Sequence, residues 1–262
     1  MNKNQQPGLF LFVAGLIGLG VIGVMVRDFA MVWQPVPEAL PARHAAAVGT
    51  GVLMILVGAG LWVRASRAWA VRILLAYLVV WAALKIPAVV VAPKMEAVYL
   101  GLGELTLLLS GGWTLFAHFS ELTPGSPLGF LAGERGIRMA RYLFAVSIIP
   151  IGLSHLVYAD ITAGYVPHWL PYRLGWAYLT GAGQIASGLG VLFGVLPRVA
   201  AGAEAGQITL YTLLVWLPTI FATPKARLAW TGFFISWIFG AAAWVVAQNV
   251  PKNKKKLEAA RW

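Results

Sequence analysis

Eight runs of about twenty apolar residues follow one another along this 262-residue chain, and they constrain the fold more than any other feature. They lie near 8–26, 45–63, 73–92, 99–117, 140–158, 174–195, 204–222 and 228–247. A helix rising 1.5 Å per residue needs about twenty residues to cross a hydrocarbon core of about 30 Å. Nothing in that core can satisfy a bare backbone, so segments of this length and polarity must be helical. Composition agrees: 60% of residues are hydrophobic and 11% charged, against about 25% charged in a soluble domain. The expectation is an all-α membrane protein with eight transmembrane helices. The first run exceeds the apolar core of a secretory signal and lacks a convincing cleavage site, so it reads as a retained span.

The formal charge of +11 does not point to nucleic acid, because the basic residues are spread between apolar runs or gathered at the tail. Counted over alternate loops, thirteen fall on one side, including Arg64, Arg67, Arg72, Arg135, Arg138, Arg141, Arg198 and the tail NKKK. Six fall on the other: Arg27, Arg43, Lys94, Arg173, Lys225 and Arg227. The bias predicts both termini in the cytoplasm of a bacterial cytoplasmic membrane, with the tail 251–262 anchored at anionic lipid. The chain has no cysteine, which excludes disulfide exchange, thiolate catalysis and cysteine-ligated metal.

VPEALP at 36–41 returns as VPHWLP at 166–171. Two prolines four apart cannot lie inside a regular helix, so each hexapeptide should form a bent segment between helices. Aligned there, Pro37 falls on Pro167, Leu40 and Pro41 on Leu170 and Pro171, and Gly51, Gly58 and Gly60 on Gly181, Gly188 and Gly190. With small gaps, Gly23 falls on Gly152, Ala30 on Ala159, Trp81 on Trp216 and Pro87 near Pro218. The pattern predicts two four-helix repeats, 1–118 and 140–250, joined by a Gly- and Pro-rich cytoplasmic linker, 119–139. Four spans per repeat make the repeats parallel, related by an axis along the membrane normal. The glycines read as close-packing positions. GLGVIG, Gly18 to Gly23, matches a dinucleotide fingerprint only formally, since no strand precedes it.

Residues 152–194 read GLSHLVYADITAGYVPHWLPYRLGWAYLTGAGQIASGLGVLFG. Gly152, His155, Pro167, Pro171, Trp176, Leu179, Thr180, Gly181, Gln184 and Gly188 stand where the DoxX-like membrane family carries its pattern, and this stretch resembles that family. The first half departs from it, with Met54 in place of Gln184 and no histidine opposite His155. Members of the family are linked with membrane redox assemblies, including a subunit of thiosulfate:quinone oxidoreductase. The resemblance therefore implies a quinone as cofactor and a membrane redox partner, with the chemistry in the second half.

Ionisable residues inside spans are costly and are functional candidates. Lys85 and Glu104 lie at similar depths in consecutive spans, so they can form a structural pair, serve as a ligand or proton site, or snorkel separately. His155, late in the fifth span, is either a hydrogen-bonded interfacial residue or a proton carrier oriented by Asp160. Tyr178, Thr180 and Gln184 add polar groups to the next span, and Trp169, Trp176 and Tyr178 also suit an aromatic belt. His118 and Glu204 are expected near cytoplasmic ends, facing headgroups. His155 and His168 lack a third ligand, so no metal is expected. The candidate catalytic residues are His155 and Asp160, and the candidate ligand-binding residues are Arg27, Lys85, Glu104, His155, Tyr178 and Gln184. Three function classes follow: the membrane subunit of a quinone-linked oxidoreductase with an outward pocket, a permease or lipid-handling protein, and a non-catalytic scaffold.

Overall fold

The computed structural model describes residues 6–250 apart from Val32 and Pro124, and no strand occurs among the described residues. The basic tail 251–262 and Lys3 lie outside them. The apolar runs become α1 (Gln6–Val26), α2 (Arg43–Trp62), α3 (Arg67–Ala83), α4 (Ile86–Val91), α5 (Glu96–Phe119) and α6 (Gly133–Val157). They continue as α7 (Ala159–Tyr165), α8 (Arg173–Phe193), α9 (Pro197–Tyr211), α10 (Leu217–Ala222) and α11 (Arg227–Gln248). A turn of π-helix, Thr212–Trp216, joins α9 to α10.

Seven stretches among the described residues are long and apolar enough to cross a membrane, not eight; α3–α4 and α9–α10 each count as one. The missing member is α8. It has 21 residues, but Arg173, Thr180, Gln184, Ser187 and its glycines make it too polar to qualify. The linker is also shorter than expected. Helix α6 opens at Gly133, so ERGIRMAR is helical and carries its charges beyond the apolar run.

Both proline hexapeptides are non-helical turns, each closed by a leucine N–H donating to a proline carbonyl: Leu40 to Pro37 at 3.2 Å and Leu170 to Pro167 at 3.0 Å. Each is followed by a left-handed residue that opens the next helix, Ala42 at φ 54° and Tyr172 at φ 53°. The helices then pack in the same way in both halves. A Cβ on Gly20 would stand 2.6 Å from the Gly51 carbonyl oxygen, and one on Gly152 would stand 2.7 Å from that of Gly181. Only glycine permits these crossings of α1 with α2 and of α6 with α8, where backbones touch and close packing replaces the hydrophobic driving force that lipid removes. Gly58 meets Ile17 as Gly188 meets Ile149, and Gly60 meets Ala70 as Gly190 meets Ala200. These contacts correct two alignments: Gly20, not Gly23, occupies the place of Gly152, and Trp81 corresponds to Tyr211 rather than Trp216. Pro87 and Pro218 each stand second in a short helix. The register between halves slips by one residue across the π-turn, as expected where a π-bulge inserts one.

Helices α5 and α11 run parallel through the centre. Gly111 meets Ala242, and His118 bonds Asn249, pairs that are both 131 residues apart. Helix α5 also packs along α6, as α11 does along α1. Arg72 donates to the Ser120 carbonyl at 2.6 Å and Arg67 lies over Phe119, which places both basic residues at the end of the bundle where α5 closes.

Candidate functional site

Helix α9 carries Glu204, Gln207 and Tyr211 on one face, at spacings of three and four, and α8 presents Thr180 and Gln184 to it. The antiparallel pairing brings Gln184 Nε2 to Glu204 Oε1 at 3.3 Å, and Gln207 Nε2 to the Thr180 carbonyl at 3.0 Å and the Tyr211 hydroxyl at 2.7 Å. From the last turns of α6, His155 Nδ1 reaches Thr180 Oγ1 at 3.0 Å, and its ring lies 5.8 Å from that of Tyr211. Gln184 and Glu204 are each only 1% exposed, yet Gln184 Oε1 and Glu204 Oε2 have no hydrogen-bond partner. Polar side chains inside a membrane bundle pair between helices because lipid offers no alternative partner, which accounts for the cluster but not for its two unmet oxygens.

In the first half the places of Gln184 and Glu204 are apolar, while Thr50 stands for Thr180 and Tyr77 for Gln207. Met54 stands for Gln184 and Leu74 for Glu204, and both line a narrow apolar gap with Leu16, Val57 and Tyr77. Where His155 stands in the second half, the register of the glycine crossings puts Gly23 in the first. The loop between α1 and α2 fills the bundle instead. Phe29, Trp33 and Gln34 are buried, and Gln34 donates to Tyr77 at 2.9 Å and accepts from the Ala30 N–H at 2.8 Å. Above them Asp28 accepts from Arg43 at 2.7 Å and from Arg227, which opens α11, at 2.9 Å. Burial pushes the Asp28 carboxyl up, but the Phe29 N–H and the two guanidinium groups outweigh it and hold it below its ordinary 3.8. Beneath this ion cluster lies a cavity of about 10 Å³, lined by Gln34, Thr50 and Thr231, with room for about one water.

Of the residues expected from sequence, His155 and Gln184 enter the polar cluster. Tyr178 is 48% exposed and turns away from it. Asp160 is exposed, and His155 takes Thr180, not Asp160, as its hydrogen-bond partner. Arg27 is exposed at the end of α1, where its carbonyl meets His44 Nδ1 at 2.7 Å. Lys85 Nζ lies 3.3 Å from where a Cβ on Gly101 would stand, and Glu104, three residues further along α5, is close enough for the two charges to interact. Glu204, expected to face headgroups, instead faces Gln184. Its spacing with Gln207 and Tyr211 was the available signal. No group of three or more histidine or acidic side chains among the described residues could hold a metal.

Compared with family models, curated proteins and solved structures, the chain matches none.

Proposed function

We propose that this polytopic membrane protein is the membrane subunit of a quinone-linked redox system of DoxX-like type, in the bacterial cytoplasmic membrane, and that its site is the polar cluster of the second half. In this reading α8 is an eighth span, the two four-helix units are parallel repeats, and both termini are cytoplasmic. The parallel α5 and α11, meeting at pairs 131 residues apart, support the repeat. The gathering of Arg67 and Arg72 at one end supports the orientation.

The observation that carries the functional reading is the asymmetry. One fold is built twice, with Met54 and Leu74 in one copy and Gln184, Glu204 and His155 in the other. The first copy packs with Met54 and Leu74 at these two places, which supports a use for the buried Gln184–Glu204 pair, costly in lipid. A buried amide–carboxyl pair, with an imidazole and a phenol one to two turns further along the bundle, suits a small polar headgroup on an apolar tail, entering from the bilayer.

Membranes containing the protein should change the rate of reduction or oxidation of a short-chain quinone in the presence of the partner dehydrogenase. The double substitution Gln184→Met, Glu204→Leu should abolish that change while the protein still accumulates. Quinone turnover unaffected by the substitutions would overturn the reading. A second reading, a permease, draws on the interruptions of α3–α4 and of α9–α10 at matching places, since discontinuous spans line transporter sites. Substrate-driven flux in proteoliposomes, without any quinone turnover, would favour it.

A further inference from the structure

We propose that Glu204 is a proton-binding site inside the bundle: it stands there as a neutral carboxylic acid, with the hydrogen on Oε2 donated to Gln184 Oε1. The inference goes beyond the quinone-linked reading and holds with or without a quinone.

The geometry of the pair is one hydrogen short. Gln184 Nε2 donates to Glu204 Oε1 at 3.3 Å, while Gln184 Oε1 and Glu204 Oε2, the other atoms of the same two end groups, are buried without a partner. Both side chains are 1% exposed. Amide and carboxyl are planar groups of matching shape, and their end torsions have broad wells. With one corner already joined, a turn of those torsions brings the two remaining oxygens together. Two bare acceptors repel there, whereas one proton between them makes a second hydrogen bond and closes the pair into a ring. Exchanging the oxygen and nitrogen of the Gln184 amide sets its oxygen against Glu204 Oε1 instead, and the same proton is required.

An ionised carboxylate in this place needs a cation, and the helices around it bring none. On α9 itself Arg198 is exposed in the first turn, and Tyr211, two turns beyond Glu204, takes the Gln207 amide. The only charged residue of α8 is Arg173, exposed at its start, and its Tyr178 is exposed as well. The only charged residue of α11 is Arg227, which bonds Asp28 and the Phe29 carbonyl, and the turn Thr212–Trp216 has no ionisable group. From α6, which packs along α8, His155 bonds Thr180 and the Arg141 guanidinium lies over the Tyr142 ring. A buried carboxyl without a counter-ion takes up a proton rather than keep its charge. The competing account is a water that donates to both unmet oxygens. It fills their lone pairs but leaves the whole carboxylate charge in the bundle.

Infrared difference spectroscopy of the full chain in lipid at neutral pH, wild type minus Glu204→Gln, reads this one carboxyl, because an undissociated acid and a carboxylate absorb in well-separated bands. The difference should contain the carbonyl band of an acid, lowered in D2O, and no carboxylate bands. Glu204→Gln puts an amide hydrogen where the acid proton stood, so both bonds of the pair survive and the melting temperature should not change. If that variant does not accumulate, Gln184→Met reads the same bond: the acid carbonyl loses its amide donor, and its band should move to higher frequency. Carboxylate bands in the first difference, or no acid band, overturn the proposal and leave Glu204 ionised beside a water or cation. An acid band that Gln184→Met does not move also overturns it. Neither result touches the quinone-linked reading, which is tested by quinone turnover.

Discussion

Adding one methyl group at Gly181 should loosen the second half and its polar cluster together. A Cβ there would lie 2.7 Å from the Gly152 carbonyl oxygen, 2.8 Å from His155 Cβ and 2.9 Å from Leu156 Cδ2. Ordinary contact begins near 3.4 Å, so α6 and α8 must part by about 0.7 Å at the crossing. A gap of that size forfeits about a quarter to a half of each dispersion contact it opens. Overpacking of this kind costs about 1–3 kcal/mol, and a backbone oxygen cannot yield as a flexible side chain does, which puts the cost at the upper end. Better helix propensity returns up to about 1 kcal/mol, leaving Gly181→Ala destabilised by about 2 kcal/mol. Gly51→Ala should behave alike, because its Cβ would stand 2.8 Å from the Gly20 carbonyl oxygen. Gly202→Ala, with no atom within 4 Å of the new methyl, keeps only the propensity gain and should be neutral or slightly stabilising. Reversible unfolding by SDS in mixed micelles, followed by tryptophan fluorescence, measures all three. The Gly181 variant should also stretch the 3.0 Å bond between His155 and Thr180, which a shift in the histidine NMR resonances would report. A Gly181→Ala protein as stable as Gly202→Ala would refute the close crossing.

The Asp28 cluster ties the loop between α1 and α2 to the start of α11, and its carboxyl is held below the ordinary value of 3.8. A lowered carboxyl stabilises the fold above its unfolded value, and that stability drains away as pH falls through the folded one. The unfolding free energy should therefore lose about 1–3 kcal/mol on the acid side of about pH 4, a range between exposed and buried pairs because the three side chains are a fifth to a third exposed. In Asp28→Asn that acid-limb loss should be missing, and an identical profile in the two proteins would show that the cluster contributes nothing. Lys85, between α3 and α4, and Glu104, on α5, have charges that interact, and they should show a coupling of about 0.5–3 kcal/mol between Lys85→Met and Glu104→Gln, with either single change costing more than its share of the double. Strictly additive losses would mean that the charges do not act on each other.

The parts legible in the sequence are those that one segment settles against its solvent. Twenty apolar residues in lipid must be helical whatever packs beside them, so the helix limits fall close to the apolar runs. The two prolines of each hexapeptide forbid a helix locally, and both loops turn at the same bond. Close packing at Gly51, Gly58, Gly181 and Gly188 was also readable, because a recurring glycine in a span has few other uses. What only the tertiary structure decided is which faces meet. Helix α8 is too polar to qualify as a span alone, and it is accommodated because α6 and α9 cover its polar side. Glu204 is near a helix start in the sequence, where a headgroup is the obvious partner, but the rotation of α9 turns it onto Gln184 and into the bundle. His155 finds Thr180 rather than Asp160 for the same reason: its partner is set by the crossing of α6 with α8, not by nearness along the chain. The Asp28 cluster draws Arg227 from 199 residues away, which no local pattern could foretell. Helix formation depends on the solvent each segment meets, whereas polar pairing depends on the rotation and approach of two helices, and those are fixed only when the whole bundle closes.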